Sequence, residues 1–459
     1  MSKNRLTFTL MDMGYKKAGS VQIFDERTCY DEVNENGDPV VIPFPAQLAI
    51  VTHALMLKNK PHGEIYQSKA EQLIDAWTNS TLPQKVDIDC SVACEPLSPF
   101  QRSLFDDLND VPFPGPKNPK FTFIDLFAGI GGFRMAFQNL GGQCVFSSEW
   151  DAQAQKTYFA NYGEVPFGDI TSEQTKQYIP DNFDILCAGF PCQAFSLAGK
   201  RLGFEETRGT LFFDVAEILR RKQPKAFFLE NVKGLAIHDK GKTLKTILNT
   251  LDEIGYTVVP PQIVNAMYFG VPQHRERIYI VGFRKDLGIK PGDFSYPEQK
   301  EVTKHFIDIR EKDPVPSKYY LSTTYVDTLI RHKERHESKG NGFGYAIVGD
   351  NEVSNAIVVG GMGRERNIVI DTRQTDLTPT TRIKGEYNKD GWRRMTPREW
   401  GALQGYPVYD NGDGSPVFQI PVADASAYKQ FGNSVAVPAI QATAQQLLNV
   451  LSDKNILTL

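Results

Sequence analysis

The chain has 459 residues, too many for one compact core, so two or three domains are expected. Hydrophobic residues make up 41% and charged residues 23%, ordinary values for a soluble globular protein. The formal net charge of −4 excludes a global basic field, so a nucleic acid would have to be met by a local basic surface. The six cysteines (Cys29, Cys90, Cys94, Cys144, Cys187, Cys192) follow no disulfide-framework spacing. Cys90 and Cys94 lack a second ligand pair, and no metal site is expected. Asp12 interrupts the N-terminal apolar stretch and no run reaches the length of a membrane span. A cytoplasmic protein with reduced thiols and no membrane partner is the expectation.

Residues 1–118 read as an accessory N-terminal domain. Alternation over Arg5–Leu10 and Val21–Phe24 predicts short strands. Helical spacing over Ala46–Leu55 and Lys69–Trp77 predicts two helices. Val111–Pro119 carries four prolines in nine residues, a stiff linker and the clearest boundary in the chain.

From residue 119 the pattern becomes regular. Lys120–Phe127 predicts a strand, Ala128–Gly132 a glycine turn and Phe133–Leu140 a helix, the opening of a nucleotide-binding α/β unit. A second strand, Cys144–Ser148, runs into Glu149, twenty residues after Gly129, where an acid can accept from ribose hydroxyls. A third run ends at Gly168-Asp169-Ile170, which offers another carboxylate. The apolar run Phe183–Ala188 is a buried strand that Gly189 and Pro191 must end in a sharp turn, with Cys192 just beyond. Ser196–Gly209 reads as a loop and Thr210–Arg221 as a helix. Ala226–Leu229 is a strand running into Glu230, Thr243–Ile254 a helix, Val258–Val259 a strand, and Ile278–Phe283 another strand after Gln273-His274-Arg275-Glu276-Arg277. Strands alternating with helices imply a mostly parallel sheet.

Over 286–390 the rhythm breaks into short alternating pieces, Ala356–Val359 and Asn367–Ile370 among them, and a smaller β-rich domain is expected. Arg331–His336 could be a basic helix lying against phosphate, although a solvated face is the commoner meaning of such a run. Residues 391–459 return to helix at Thr396–Leu403 and again from Pro438 to Leu451, after the turn Gly432-Asn433-Ser434.

A lone cysteine is more often core than nucleophile. Cys192, however, stands at a strand end with Glu230 thirty-eight residues on, and Arg275 and Arg277 at a third strand end. A thiolate adds to an electron-poor carbon, a carboxyl holds the ring nitrogen that gathers the charge, and an arginine orients the ring oxygen. A pyrimidine activated in this way becomes nucleophilic at the neighbouring carbon and can accept a methyl group. The residues permit this scheme without singling it out.

Phe123–Phe133, Gly189–Ser196, Glu230-Asn231-Val232, Gln273–Tyr279 and Gln430–Val435 together resemble the ordered motifs of bacterial DNA (cytosine-5) methyltransferases of restriction-modification type. The likeness covers roughly residues 120–285 and 392–445. It implies a Rossmann-like, mostly parallel catalytic domain at 119–285, a β-rich target-recognition domain at 286–390, and a hinge and return over 391–459. Cys192 would attack cytosine C6, Glu230 would contact N3 and the exocyclic amine, Arg277 would steady the base, and Arg275 would support the loop or a phosphate. S-adenosylmethionine, leaving as S-adenosylhomocysteine, would sit on Gly129, Ile130, Gly131 and Gly132. Phe127, Glu149, Trp150, Asp169 and Ile170 would lie around its adenosine, and Gly189, Pro191, Leu211, Asn433, Ser434 and Val435 would close the pocket. Gln193, Ser196 and Arg208 on the loop, and Thr380 and Arg382 in the recognition domain, would meet double-stranded DNA around a flipped base.

The likeness further implies a monomer working beside a cognate restriction endonuclease in the bacterial cytoplasm. Residues 1–118 could bind DNA, regulate transcription or brace the catalytic domain, and bracing is favoured. Three rival readings stand beside this one. A tRNA cytosine-5 methyltransferase would carry a second proline in place of Phe190 and a shorter central region. A non-catalytic DNA-binding relative would not need Cys192, Glu230 and Arg277 together. A plain dehydrogenase would explain neither Cys192 nor Glu230.

Overall fold

The computed structural model describes residues 28–33, 39–42, 44–79, 111–191, 211–342, 344–360, 363–375 and 386–459. The strands expected at Arg5–Leu10 and Val21–Phe24 lie outside these residues. The described residues begin with an antiparallel pair, β1 (Thr28–Val33) and β2 (Pro39–Val41), and two helices, α1 (Phe44–Met56) and α2 (Glu64–Asn79). Then follow β3 (Phe121–Leu126), α3 (Gly132–Asn139), β4 (Gly142–Ser148), α4 (Ala152–Tyr162), α5 (Glu173–Lys176), β5 (Ile185–Gly189), α6 (Leu211–Lys222), β6 (Ala226–Val232), α7 (Lys242–Glu253), β7 (Tyr256–Val258), β8 (Gln262–Asn265), β9 (Gln273–His274) and β10 (Glu276–Arg284).

These build a seven-stranded sheet in the order β4-β3-β5-β6-β10-β7, with β8 also paired to β10. The ladders from β4 through β6 are parallel, and β3 and β4 are buried at every position. Near-continuous burial is what helices on both faces of a parallel sheet impose. β10 runs antiparallel to β6, β7 and β8. Helix α4 gave no sequence expectation. Its N-cap is Asp151, whose side chain accepts from the Gln153 and Ala154 amides.

The later part holds α8 (Thr323–Glu337), β11 (Ala346–Ile347), β12 (Ser354–Asn355), β13 (Asn367–Ile370), β14 (Trp392–Arg394), α9 (Pro397–Leu403), α10 (Asp424–Asn433) and α11 (Val437–Asp453). Strands β11, β13 and β14 form a small sheet, and Arg331–His336 lies in the second half of the 15-residue α8. The strand expected at Ala356–Val359 does not form. Pairing stops at Asn355, where β12 lies parallel to β9, and the Ile357 amide donates to the Gln273 side chain at 3.0 Å instead of to a ladder. Helix α9 starts at a capping box in which Thr396 Oγ1 accepts from the Glu399 amide and Glu399 accepts from the Thr396 amide. Among the described residues no helix is long and apolar enough to cross a membrane.

Helices α1 and α2 share an apolar cluster with the sheet, where Ile50, Val51, Leu57, Tyr66 and Leu73 join Val145, Phe146 and Phe167. Val145 is passed over in the β3–β4 ladder, and the Tyr66 hydroxyl donates to its carbonyl at 2.9 Å. The Val165 amide donates to Thr52 Oγ1 at 3.0 Å. Beneath this contact Glu164 Oε1 lies 2.8 Å from Arg134 Nη1 and 3.1 Å from His53 Nε2, all three side chains fully buried. Burial alone would push the Glu164 carboxyl up, but Arg134 and then His53 hold it down at about 2. Removing one partner of a buried pair strands the other charge in an apolar medium. Glu164→Gln is therefore expected to destabilise the fold by about 3–5 kcal/mol, read as a shift in the guanidinium unfolding midpoint. An unshifted midpoint would show that the pair contributes nothing net.

Candidate functional site

The glycine turn after β3 is left-handed at Phe127 (φ 57°), Gly129 (φ 56°) and Gly131 (φ 84°). A Cβ on Gly131 would meet the Tyr162 ring at 2.4 Å, and one on Gly132 would meet Val435 at 2.7 Å and the Tyr406 hydroxyl at 2.9 Å. Larger residues would have to displace those groups. The turn is held from beside it by Glu149, whose Oε2 accepts from the Gly129 amide and Oε1 from the Asp151 amide, each at 2.8 Å. Burial raises the Glu149 carboxyl above its ordinary range, and these amides draw it back. Trp150 next to it is 81% exposed. Ile170 is buried, whereas Asp169 is exposed and accepts from the Thr171 amide at 2.9 Å. Ser434 Oγ lies 2.7 Å from the Tyr406 hydroxyl, and Asn433 is exposed.

The turn meets the carboxylate corner at Gly189. In the β5–β6 ladder Gly189 faces Glu230. A Cβ placed on Gly189 would lie 3.6 Å from Phe133, 3.8 Å from Glu230 Oε2 and 3.8 Å from Val435. Glu230 is buried and its Oε1 lies 3.1 Å from Arg277 Nε. Burial pushes the Glu230 carboxyl up, and Arg277 and then Arg275 oppose it. Asn231 Nδ2 donates to the Phe190 carbonyl at 2.9 Å and so fixes the backbone just before exposed Pro191. Leu211 opens α6, half-buried. Cys192, Gln193, Ser196, Arg208, Thr380 and Arg382 lie outside the described residues.

Arg275 is taken up by main chain. Its guanidinium is buried and engaged by main-chain carbonyls, with Nη1 donating to Ile357 (3.1 Å) and Nη2 to Gly432 (3.2 Å) and Ser434 (2.6 Å). In this structure it holds backbone at Ile357 and at the Gly432–Ser434 turn. Gln404 and Tyr406, which also hold the Ser434 turn, gave no signal in the sequence.

Three comparisons place this geometry. The model of the C-5 cytosine-specific DNA methylase family matches residues 121–449. The chain belongs to that family. The Type II methyltransferase M.HpaII of Haemophilus parainfluenzae is 70% identical over 335 residues, covering 73% of this chain and 91% of that protein. The Type II methyltransferase M.HhaI of Haemophilus parahaemolyticus is 40% identical over 339 residues, covering 72% and 95%. The crystal structure of the S. pombe Dnmt2 methyltransferase aligns at a TM-score of 0.52 with 19% identity, over 72% of this chain and 99% of that one, a likeness of fold. This methylase is a DNA (cytosine-5) methyltransferase, which moves a methyl group from a donor to C5 of cytosine in DNA.

Beneath the methylase's glycine turn, Asp125 Oδ2 accepts from the Arg134 amide at 3.2 Å while Oδ1 is buried without a partner. Burial pushes its carboxyl up to about 8. The folded chain thus keeps a proton that an unfolded aspartate releases above about pH 4. This contribution is fully present below pH 4 and is lost as pH rises through about 8. Asp125→Asn keeps an acceptor and removes the titration. Its unfolding free energy relative to wild type should climb steadily between pH 5 and 8; a difference independent of pH would contradict the buried proton.

Proposed function

We propose that the donor is S-adenosylmethionine, that Cys192 is the nucleophile, and that the target is a cytosine flipped out of double-stranded DNA. The reading rests above all on Gly189, where the glycine-turn side (Phe133, Val435) and the acid side (Glu230, paired to Arg277) come within 4 Å of one point, three residues before Cys192. The residues around the turn fit an adenosyl group. Backbone lies open at Gly129, Glu149 retains acceptor capacity beside it, and the exposed Trp150 ring can stack on adenine. When bound, the donor supplies an electrophilic methyl on a sulfonium.

In this reading Cys192 adds through sulfur to C6 of cytosine. Glu230 holds a proton at N3, a task suited to a carboxyl that burial has raised. Arg277 fixes the Glu230 carboxylate and faces the ring oxygen. The C6 adduct makes C5 nucleophilic. Once C5 is methylated it loses its proton, the C6–sulfur bond breaks and the thiol is freed. Extrusion of the base is required because C6 is out of reach inside a stacked duplex. Gln193, Ser196, Arg208, Thr380 and Arg382 contact the DNA, and residues 44–79 brace the catalytic sheet. The protein acts as a monomer in the bacterial cytoplasm beside a cognate endonuclease, a role suggested by relatives named Type II methyltransferases.

Cys192→Ser should lose nearly all turnover while S-adenosylhomocysteine still binds in a calorimetric titration; normal turnover would overturn the assignment of the nucleophile. Wild type, but not Cys192→Ala, should form a stable adduct with duplex DNA containing 5-fluorocytosine. Methyl incorporation into duplex DNA and not into tRNA separates this reading from its RNA counterpart. Glu230→Gln should lower kcat more than it raises KM, and a change confined to KM would count against its role at N3.

A further inference from the structure

We propose that Arg275, with Gln273, is a positioning joint that couples the recognition segment around Ile357 to the donor pocket, and that neither side chain touches the base. The inference rests on the reading that Gly129–Gly132 and Ser434–Val435 hold the donor.

Both side chains are buried, and each makes hydrogen bonds in two places that are far apart in sequence. Arg275 donates from Nη1 to the Ile357 carbonyl and from Nη2 to the Gly432 and Ser434 carbonyls. Gln273 accepts from the Ile357 amide at 3.0 Å and donates to the Leu403 carbonyl at 2.8 Å. One residue of the recognition segment is therefore gripped by both its amide and its carbonyl. The other ends of the two grips reach the segments that frame the donor turn. Ser434 Oγ and Val435 are, with the Tyr406 hydroxyl, the groups a Cβ on Gly132 would strike. A separate contact brings the same two regions together, because a Cβ on Gly432 would lie 2.6 Å from Val359 Cγ2.

Main-chain carbonyls held by a buried guanidinium cannot shift singly without leaving a donor or acceptor unpaired, at about 1–3 kcal/mol each. A displacement at Ile357 is thus passed to Ser434 as a unit. A coupling of this kind is reciprocal, so donor binding must in turn stiffen the recognition segment.

The test is amide hydrogen exchange of the full-length protein with and without saturating S-adenosylhomocysteine. In wild type, exchange over residues 354–359 should slow by about 5-fold or more on ligand binding, within the usual range of such couplings. In Arg275→Lys, which keeps the charge but not the fork, the melting temperature should fall, the Kd for S-adenosylhomocysteine should rise about 10-fold, a shift within that range, and the ligand-linked protection at 354–359 should vanish. A purely structural Arg275 would lower the melting temperature and leave the ligand-linked protection in place, and that result overturns the proposal. If Arg275→Lys does not fold, the wild-type exchange decides alone: ligand binding without slowed exchange at 354–359 removes this inference and leaves the donor pocket standing. Absence of binding to wild type would remove the donor-pocket reading and the inference with it.

Discussion

The pairing of Glu230 with Arg277 is the constraint on which the site depends. A carboxylate in this position has lost most of its hydration, and a guanidinium 3.1 Å away is what keeps that loss tolerable. The two residues lie on neighbouring strands, β6 and β10, whose antiparallel ladder sets Glu230 opposite Tyr279 and Arg277 opposite Val232. The reversal of β10 in an otherwise parallel region is therefore what makes this pair possible. It brings a cation from a later segment to the end of a strand where the parallel ladder has already placed Gly189 beside Glu230. The site sits outside the carboxyl ends of the parallel strands, as ligand crevices in open α/β sheets do.

Much of this was legible because it is local. The runs at Phe121–Phe127, Phe183–Ala188 and Ala226–Leu229 are mostly apolar, and each holds a strand buried on both faces. The glycines at 129 and 131 stand where the backbone is left-handed. Glu149 illustrates a partial success. Its spacing from Gly129 marks a carboxylate beside the turn, yet the sequence does not reveal that both oxygens accept main-chain amides.

What the sequence hid is non-local. The β propensity of Ala356–Val359 lost to a side-chain amide from Gln273, more than eighty residues away. Arg275 and Arg277 stand two residues apart at the start of β10 and look equivalent, yet Arg277 meets a carboxylate and Arg275 meets three carbonyls. Only the packing of the Gly432–Ser434 turn separates them. α4 was missed because its sequence, Ala152–Tyr162, is only weakly patterned and its start depends on one aspartate cap.

The Tyr66 hydroxyl on the Val145 carbonyl carries a thermodynamic consequence for the chain as a whole. Peeling α1 and α2 from the sheet would expose the apolar cluster they share with Val145, Phe146 and Phe167 to water and break the Tyr66–Val145 and His53–Glu164 contacts in one move. Intermediates with the helix pair detached are penalised accordingly. Residues 44–79 and the sheet should behave as one foldon, melting in a single calorimetric transition although a proline-rich strap separates them in sequence.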